Sequence, residues 1–187
     1  MTSSTFSGTT ATTPRLAELI TAVGEAVRME RPPSETARLV ADRMRPFLLD
    51  PDLLPDRYRV GNPDHYLQHV LHAEEDGSFS VVALVWLPGQ ETPIHDHVSW
   101  CVTGVHEGAE LERRYELRGA GETLRLVPAG EVVNARGTVC GFAPPGDIHL
   151  VRNDCDTMAI SLHVYGADIS RLGSSVRRQY TCPVTDA

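Results

Sequence analysis

The 187-residue chain has no apolar run approaching the ~18–20 residues that a membrane-spanning helix needs, so no transmembrane segment is expected. Its first residues, Met1-Thr2-Ser3-Ser4-Thr5-Phe6, lack both the basic start and the apolar stretch of a signal peptide. Excess positive charge is missing too: 17 Lys+Arg against 25 Asp+Glu give a formal charge of -8. A nucleic acid or an anionic membrane would want a basic face, so neither is expected as a partner. Cysteine is scarce. Cys101, Cys140, Cys155 and Cys182 are widely spaced and form no CxxC pair. Without an export signal they read as cytosolic thiols rather than a disulfide frame or a zinc knuckle. What is present is enough for one domain of ordinary size, since 41% of residues are hydrophobic and can bury a real core. A single cytoplasmic domain is the expectation.

Nine of the first thirteen residues are Ser or Thr, which predicts a disordered tail over 1–13 and an ordered domain over 14–187. Leu16, Leu19, Ile20, Val23 and Val27 then fall on one helical stripe, with Pro14 suited to the first turn. Pro32-Pro33 closes that helix, and Ser34 is placed to cap a second one carrying Leu39, Val40, Met44, Phe47 and Leu48. Pro46 should kink or shorten it. The helical part occupies 14–49. From Tyr66 onward the texture changes to short β-like runs at 66–72, 79–87, 100–106, 111–117, 124–127, 132–134, 140–143, 149–152 and 159–165. Asp76-Gly77, Pro88-Gly89, Gly119-Ala120-Gly121, Ala129-Gly130 and Pro145-Gly146 punctuate them as turns. Short strands at even spacing predict an antiparallel sandwich or barrel over about 58–167, with the helices packed outside and a C-terminal extension beyond.

Histidine carries the chemistry. Residues two apart on a strand point to the same face, so His95-Asp96-His97 presents two imidazoles to one side and Asp96 to the other. Divalent metals of intermediate softness take such a pair, with a third ligand from elsewhere in the fold.

The stretch Gly89-Gln90-Glu91-Thr92-Pro93-Ile94-His95-Asp96-His97, with Gly108 beyond it, and the stretch Pro145-Gly146-Asp147-Ile148-His149, with Asn153 beyond it, resemble the two cupin signatures. The resemblance implies a mainly β fold, the cupin double-stranded β-helix or jelly-roll barrel, holding a metal on His95, His97 and His149. Most cupins place a glutamate four or five residues after the second histidine, and here Cys101 stands there. Three neutral imidazoles leave the metal its full positive charge and several open positions, which favours a soft anionic donor such as a thiolate. Zinc on three histidines would instead suggest hydrolytic activation of water. Spacing alone does not separate iron from zinc.

Ser161-Leu162-His163-Val164-Tyr165 puts Ser161, His163 and Tyr165 on one face of a strand. This triplet, following the PGxxH histidine, resembles the thiol dioxygenases, cysteine dioxygenase and its bacterial 3-mercaptopropionate relative. That resemblance implies Fe(2+) and O2, a relay from Ser161 through His163 to Tyr165, and oxidation of a small thiol carboxylate to its sulfinate. It also implies a substrate-binding role for Gln68, which stands about where cysteine dioxygenases carry a carboxylate-clamping arginine. Cys101 stands where the animal enzymes carry the cysteine that forms a thioether with the pocket tyrosine, here Tyr165. His65, His69, His72 and His106 read as surface or wall residues. Two other readings stay open: a zinc or manganese isomerase or hydrolase, and a non-catalytic ligand-binding cupin.

Overall fold

The computed structural model describes residues 12–185. Most of the Ser/Thr-rich tail therefore lies outside the described residues, but its last member, Thr13, has a structural task. Its hydroxyl caps helix α1 (Pro14–Val27), accepting the Leu16 N–H at 3.0 Å and donating to the Leu53 carbonyl at 3.0 Å. Helix α2 spans Pro33–Met44, so Pro33 occupies its first turn and Pro32, rather than Ser34, stands at the cap without a side-chain hydrogen bond. Proline's fixed φ suits that position, and its missing N–H costs nothing there. Pro46 does shorten the helix, which gives way to a single 3-10 turn over Arg45–Phe47.

The remaining elements are β1 (Leu67–Ala73), β2 (Ser80–Trp86), β3 (His95–His97), β4 (Cys101–Glu107), β5 (Ala109–Arg118), β6 (Arg125–Ala135), β7 (Val139–Phe142), β8 (His149–Arg152), β9 (Ala159–Tyr165), a short α3 (Ile169–Leu172) and β10 (Val176–Gln179). They form two five-stranded sheets with the orders β1-β2-β9-β4-β7 and β10-β3-β8-β5-β6, antiparallel at every named pairing. Together the two sheets make the double-stranded β-helix of a jelly roll. Two sequence expectations change here. The runs at 124–127 and 132–134 are one strand, because Ala129-Gly130 makes a bulge against Arg114/Tyr115 instead of a turn. The C-terminal extension is also no appendage: β10 adds an edge strand beside β3, so the barrel does not end near residue 167.

The first sheet is covered on both faces. Val81, Ala83, Val85, Ile160, Leu162 and Val164 point outward and bury against Leu16, Leu19, Val23, Val40 and Met44 of the two helices. Val82, Leu84, Trp86, Cys101 and Tyr165 point inward, into the barrel. That is why every position of β2 and β9 is buried. Truncating one of the fully buried leucines to alanine would cost about 2–5 kcal/mol. Gly104 allows the close approach of the helices, since a Cβ there would lie 2.7 Å from a Leu48 methyl. Among the described residues no helix is long and apolar enough to cross a membrane.

Candidate functional site

His95 and His97 lie on β3, and His149, the first residue of β8, is the register partner of His95. Strand alternation and this pairing bring the three imidazoles together, with one nitrogen of each within 4.8 Å of the others. All three rings are buried. Each Nδ1 is already engaged: with the Pro93 carbonyl at 2.9 Å for His95, Asp147 Oδ2 at 3.1 Å for His97, and Glu112 Oε1 at 3.0 Å for His149. Because all three partners are acceptors, each Nδ1 carries the proton and each Nε2 keeps its lone pair. Burial, with His149 and His97 alongside, holds His95 near a pKa of about 3, and burial lowers His97 as well. Neutral imidazole is the form that binds a metal. This donor set fits a divalent ion of intermediate softness.

The two carboxylates behind the histidines are themselves secured. Burial works against the charge of Glu112, but hydrogen bonds from His149 and Arg114 outweigh it and hold the group near a pKa of about 2. Asp147 is buried too, yet the side-chain and backbone N–H groups of His97 keep its pKa low. Asp96 points away from the imidazoles, as the alternation requires. It accepts from Arg177 and, at 2.8 Å, from the Tyr180 hydroxyl, tying the C-terminal segment to β3.

Across the barrel, β9 presents Ser161, His163 and Tyr165 inward. Ser161 Oγ lies 3.0 Å from His163 Nε2, and His163 Nδ1 lies 3.1 Å from the Tyr165 hydroxyl. The Trp86 indole N–H donates to Ser161 Oγ at 3.1 Å. The Tyr165 ring sits 6.0 Å from that of His97. Burial pushes the Tyr165 phenol well above its ordinary pKa, so it remains a neutral O–H. Cys101, on β4, is the register partner of Tyr165, and both belong to the interior cluster.

The imidazoles and Tyr165 open onto a cavity of about 410 Å³, which Tyr66, Gln68 and Gln179 also line. Gln68 sits on β1 at the exposed mouth, against the Tyr66 hydroxyl, and the Tyr66 ring stacks on Trp86 at 4.4 Å. The chain contains no lysine, and among the described residues no arginine lines this cavity. His69 turns outward toward Tyr58, 5.1 Å away, and His72 pairs with Glu74. His65 is exposed at the cavity rim. His106 is neither surface nor cavity wall: it is 1% exposed and bonds the Leu48 carbonyl at 2.7 Å beneath the helices.

Sequence reading missed four positions in or beside the site. Asp147 lies inside the PGxxH segment but gave no sign of its partner, which is distant in the chain. Gln179 belongs to a strand that the pattern did not reveal. Glu110 and Glu112 were detectable, because they repeat on β5 the same two-residue spacing that made His95 and His97 informative.

No family model matches the chain. The sheet topology and the three-histidine cluster define a cupin fold with a metal-binding type of site. Similar solved structures include a protein of Thermus thermophilus, 26% identical over 60% of this chain and 92% of that one, with a TM-score of 0.44. A double-stranded β-helix protein of Klebsiella pneumoniae is 21% identical over 60% of this chain and 86% of its own, with a TM-score of 0.44. A cupin superfamily protein of Desulfitobacterium hafniense is 9% identical over 58% and 84%, with a TM-score of 0.43.

Proposed function

We propose that this chain is a thiol dioxygenase, converting a small thiol carboxylate (3-mercaptopropionate, L-cysteine or both) to its sulfinate with Fe(2+) and O2. The observation that supports it most is the Ser161–His163–Tyr165 chain of hydrogen bonds, which ends in a neutral phenol beside three imidazoles with free Nε2 atoms. His95, His97 and His149 would hold the iron, which when bound supplies the redox chemistry between thiolate sulfur and O2. The reaction balances without an organic cofactor: R–S⁻ + O2 gives R–SO2⁻, the sulfur supplying all four electrons.

The protein's own part is placement and proton handling. Gln68 offers the substrate carboxylate a neutral amide donor where a guanidinium would make a bidentate ion pair. With no lysine in the chain and no arginine on the cavity wall among the described residues, this polar contact and its neighbours Tyr66 and Gln179 carry the selectivity. Tyr165, fixed by His163, directs its hydroxyl at the reacting groups. Trp86 and Tyr66 form a flat wall that keeps water from the sulfur. The partners are therefore small molecules, in keeping with the acidic net charge. A cytoplasmic setting fits a thiol substrate.

Metal analysis of protein produced with iron, followed by O2 uptake and product identification across a panel of thiols, tests the assignment. One O2 consumed per sulfinate formed is the expected result. Iron-loaded protein that consumes no O2 with any thiol carboxylate would instead mark a cupin of another class: a zinc or manganese isomerase or hydrolase, or a ligand-binding module.

A further inference from the structure

Among the described residues, Glu110 is the one carboxyl group facing the β9 relay that the mechanism above leaves unused. It lies on β5, in the opposite sheet, and is 3% exposed. Its carboxyl interacts with the Ser161 hydroxyl and the Trp86 indole, while Oε1 has no hydrogen-bond partner. A buried carboxyl with an unpartnered oxygen is costly, and such a group calls for an explanation.

Valence counting shows that the relay accommodates this carboxyl in either protonation state. Trp86 always donates to Ser161 Oγ, leaving the serine one further lone pair and its own proton. With Glu110 neutral, the acid donates to Ser161, Ser161 donates to His163 Nε2, and His163 Nδ1–H donates to the Tyr165 oxygen. The phenol then turns its O–H to the cavity side, where Ser175 also faces it. With Glu110 ionised every bond reverses. Ser161 donates to Glu110, His163 donates from Nε2, and Tyr165 donates to Nδ1, exposing its oxygen lone pairs to the cavity. Both arrangements satisfy Ser161, His163 and Tyr165, and both leave Glu110 Oε1 without a partner, which the neutral acid bears at less cost than the carboxylate.

We propose that Glu110 is the terminus of a four-residue proton relay, Glu110–Ser161–His163–Tyr165, and stores the proton that a bound thiol gives up. A thiol proton passes to the Tyr165 oxygen, the phenol proton to His163 Nδ1, the Nε2 proton to Ser161, and the serine proton to the Glu110 carboxylate. Each intermediate group gains and loses one proton, so the net change is R–SH + Glu110–COO⁻ to R–S⁻ + Glu110–COOH. Glu110 acts only through the other three, as a positioning and proton-storing residue.

The surroundings suit that task. Burial first raises Glu110 to a pKa of about 7, with the neighbouring Glu112 charge adding to it, against the opposing pull of the Ser161 hydroxyl and the Trp86 indole nearby. The other titratable groups facing it are Cys140 from β7 and Tyr165 from β9, and its register partner on β6 is the neutral Asn134. His163 is held near a pKa of about 3 by burial and by the cluster of His97, His149 and His95, so it stays neutral and can change tautomer without taking up charge.

The consequence for thiols rests on the dioxygenase reading; the relay itself is a property of the protein alone. The full chain, purified free of iron and labelled with ¹⁵N-histidine, should show His163 protonated at Nδ1 below about pH 7 and at Nε2 above it. Infrared difference spectra over the same range should show one buried carboxylic acid losing its proton. Glu110→Gln should abolish both changes. Ser161→Ala should keep the acid band while freezing the His163 tautomer, which guards against a Glu110 variant that fails to fold. With iron and 3-mercaptopropionate, kcat/KM should fall below about pH 7 in the unmodified protein and be roughly tenfold or more lower, with that acid limb gone, in Glu110→Gln. A His163 tautomer that ignores pH, or that switches equally in Glu110→Gln, overturns the relay even if thiols are oxidised. A tautomer switch in a protein that oxidises no thiol upholds the relay and overturns the dioxygenase reading.

Discussion

The two sheets of the barrel face one cavity but do different electrostatic work. The β10-β3-β8-β5-β6 sheet supplies the three imidazoles together with Glu112, and Asp147 joins it from the loop before β8. Each carboxylate accepts a hydrogen bond from the outer N–H of an imidazole, so that side of the barrel is organised to hold a cation. The β1-β2-β9-β4-β7 sheet presents an amide, an indole, a thiol, a hydroxyl, a neutral imidazole and a phenol: Gln68, Trp86, Cys101, Ser161, His163 and Tyr165. It is organised around hydrogen bonds and protons. A buried charge needs a paired partner, whereas a buried neutral donor needs only an acceptor. Separating the two tasks lets each wall meet its own requirement.

Removing a member of the cationic wall should have the largest effect. Replacing His149 with alanine leaves a two-imidazole site, so the variant purified with iron should lose most of its metal and all sulfinate formation. Metal analysis beside a product assay checks this. Retained iron with full activity would mean that the third ligand is another residue. A milder break targets the carboxylate behind it. Glu112→Gln keeps the size and an acceptor for His149 but removes the negative charge and the two-oxygen pairing with Arg114, and should weaken metal affinity by roughly 10–100-fold. Competition against a chelator measures that directly. An unchanged affinity would show that Glu112 only steers the ring.

The same comparison explains what was legible in the sequence. His95, His97 and His149 could be found because local spacing places them: a strand two-repeat and a turn-led segment fix which way each ring points. Ser161, His163 and Tyr165 were legible for the same reason. The pairing of the carboxylates with the histidines was not, since Glu112 meets His149 across 37 residues and Asp147 meets His97 across 50. Pairing between neighbouring strands, rather than periodicity along one, creates those contacts. The two N-terminal helices and eight of the strands followed from apolar patterning, whereas the short α3 did not. β10 did not, because it is a polar edge strand with mostly exposed side chains and carries no such signal. Ala129-Gly130 reads as a turn in any local scheme, and only its partner strand makes it a bulge.

On the neutral wall, effects should be smaller and fall on selectivity. Gln68 is the polar group at the mouth, so the unmodified protein should show a higher kcat/KM for 3-mercaptopropionate than for L-cysteine. Gln68→Arg introduces a cation into a cavity wall that has none, and should shift that ratio toward cysteine by roughly tenfold or more, as expected of ~1–3 kcal/mol for one polar contact. If cysteine is strongly preferred from the start and Gln68→Ala leaves that preference untouched, another group holds the carboxylate. Gln179, on the opposite rim, is then the first to examine.

The subtlest expected change lies between two members of the neutral wall. Cys101 and Tyr165 are direct register partners on β4 and β9, and side chains of such partners stand about 4.5–5.5 Å apart at Cβ. A thioether between them removes two hydrogens, with O2 as the acceptor and the proposed iron as catalyst. Burial works against the bond by raising the Cys101 thiol well above its ordinary pKa, so thiolate attack is suppressed and only chemistry at the loaded site can drive it. The bond should therefore accumulate with turnover and be missing from iron-free protein. Peptide mass spectrometry after many turnovers should find a linked Cys101–Tyr165 peptide lighter by two hydrogens than its parts, and none in Cys101→Gly. Full alkylation of Cys101 after unfolding of turned-over protein would show that the pair stays open. In that case Tyr165 keeps the rotational freedom that a reversing hydrogen-bond chain requires, and its placement rests on His163 alone.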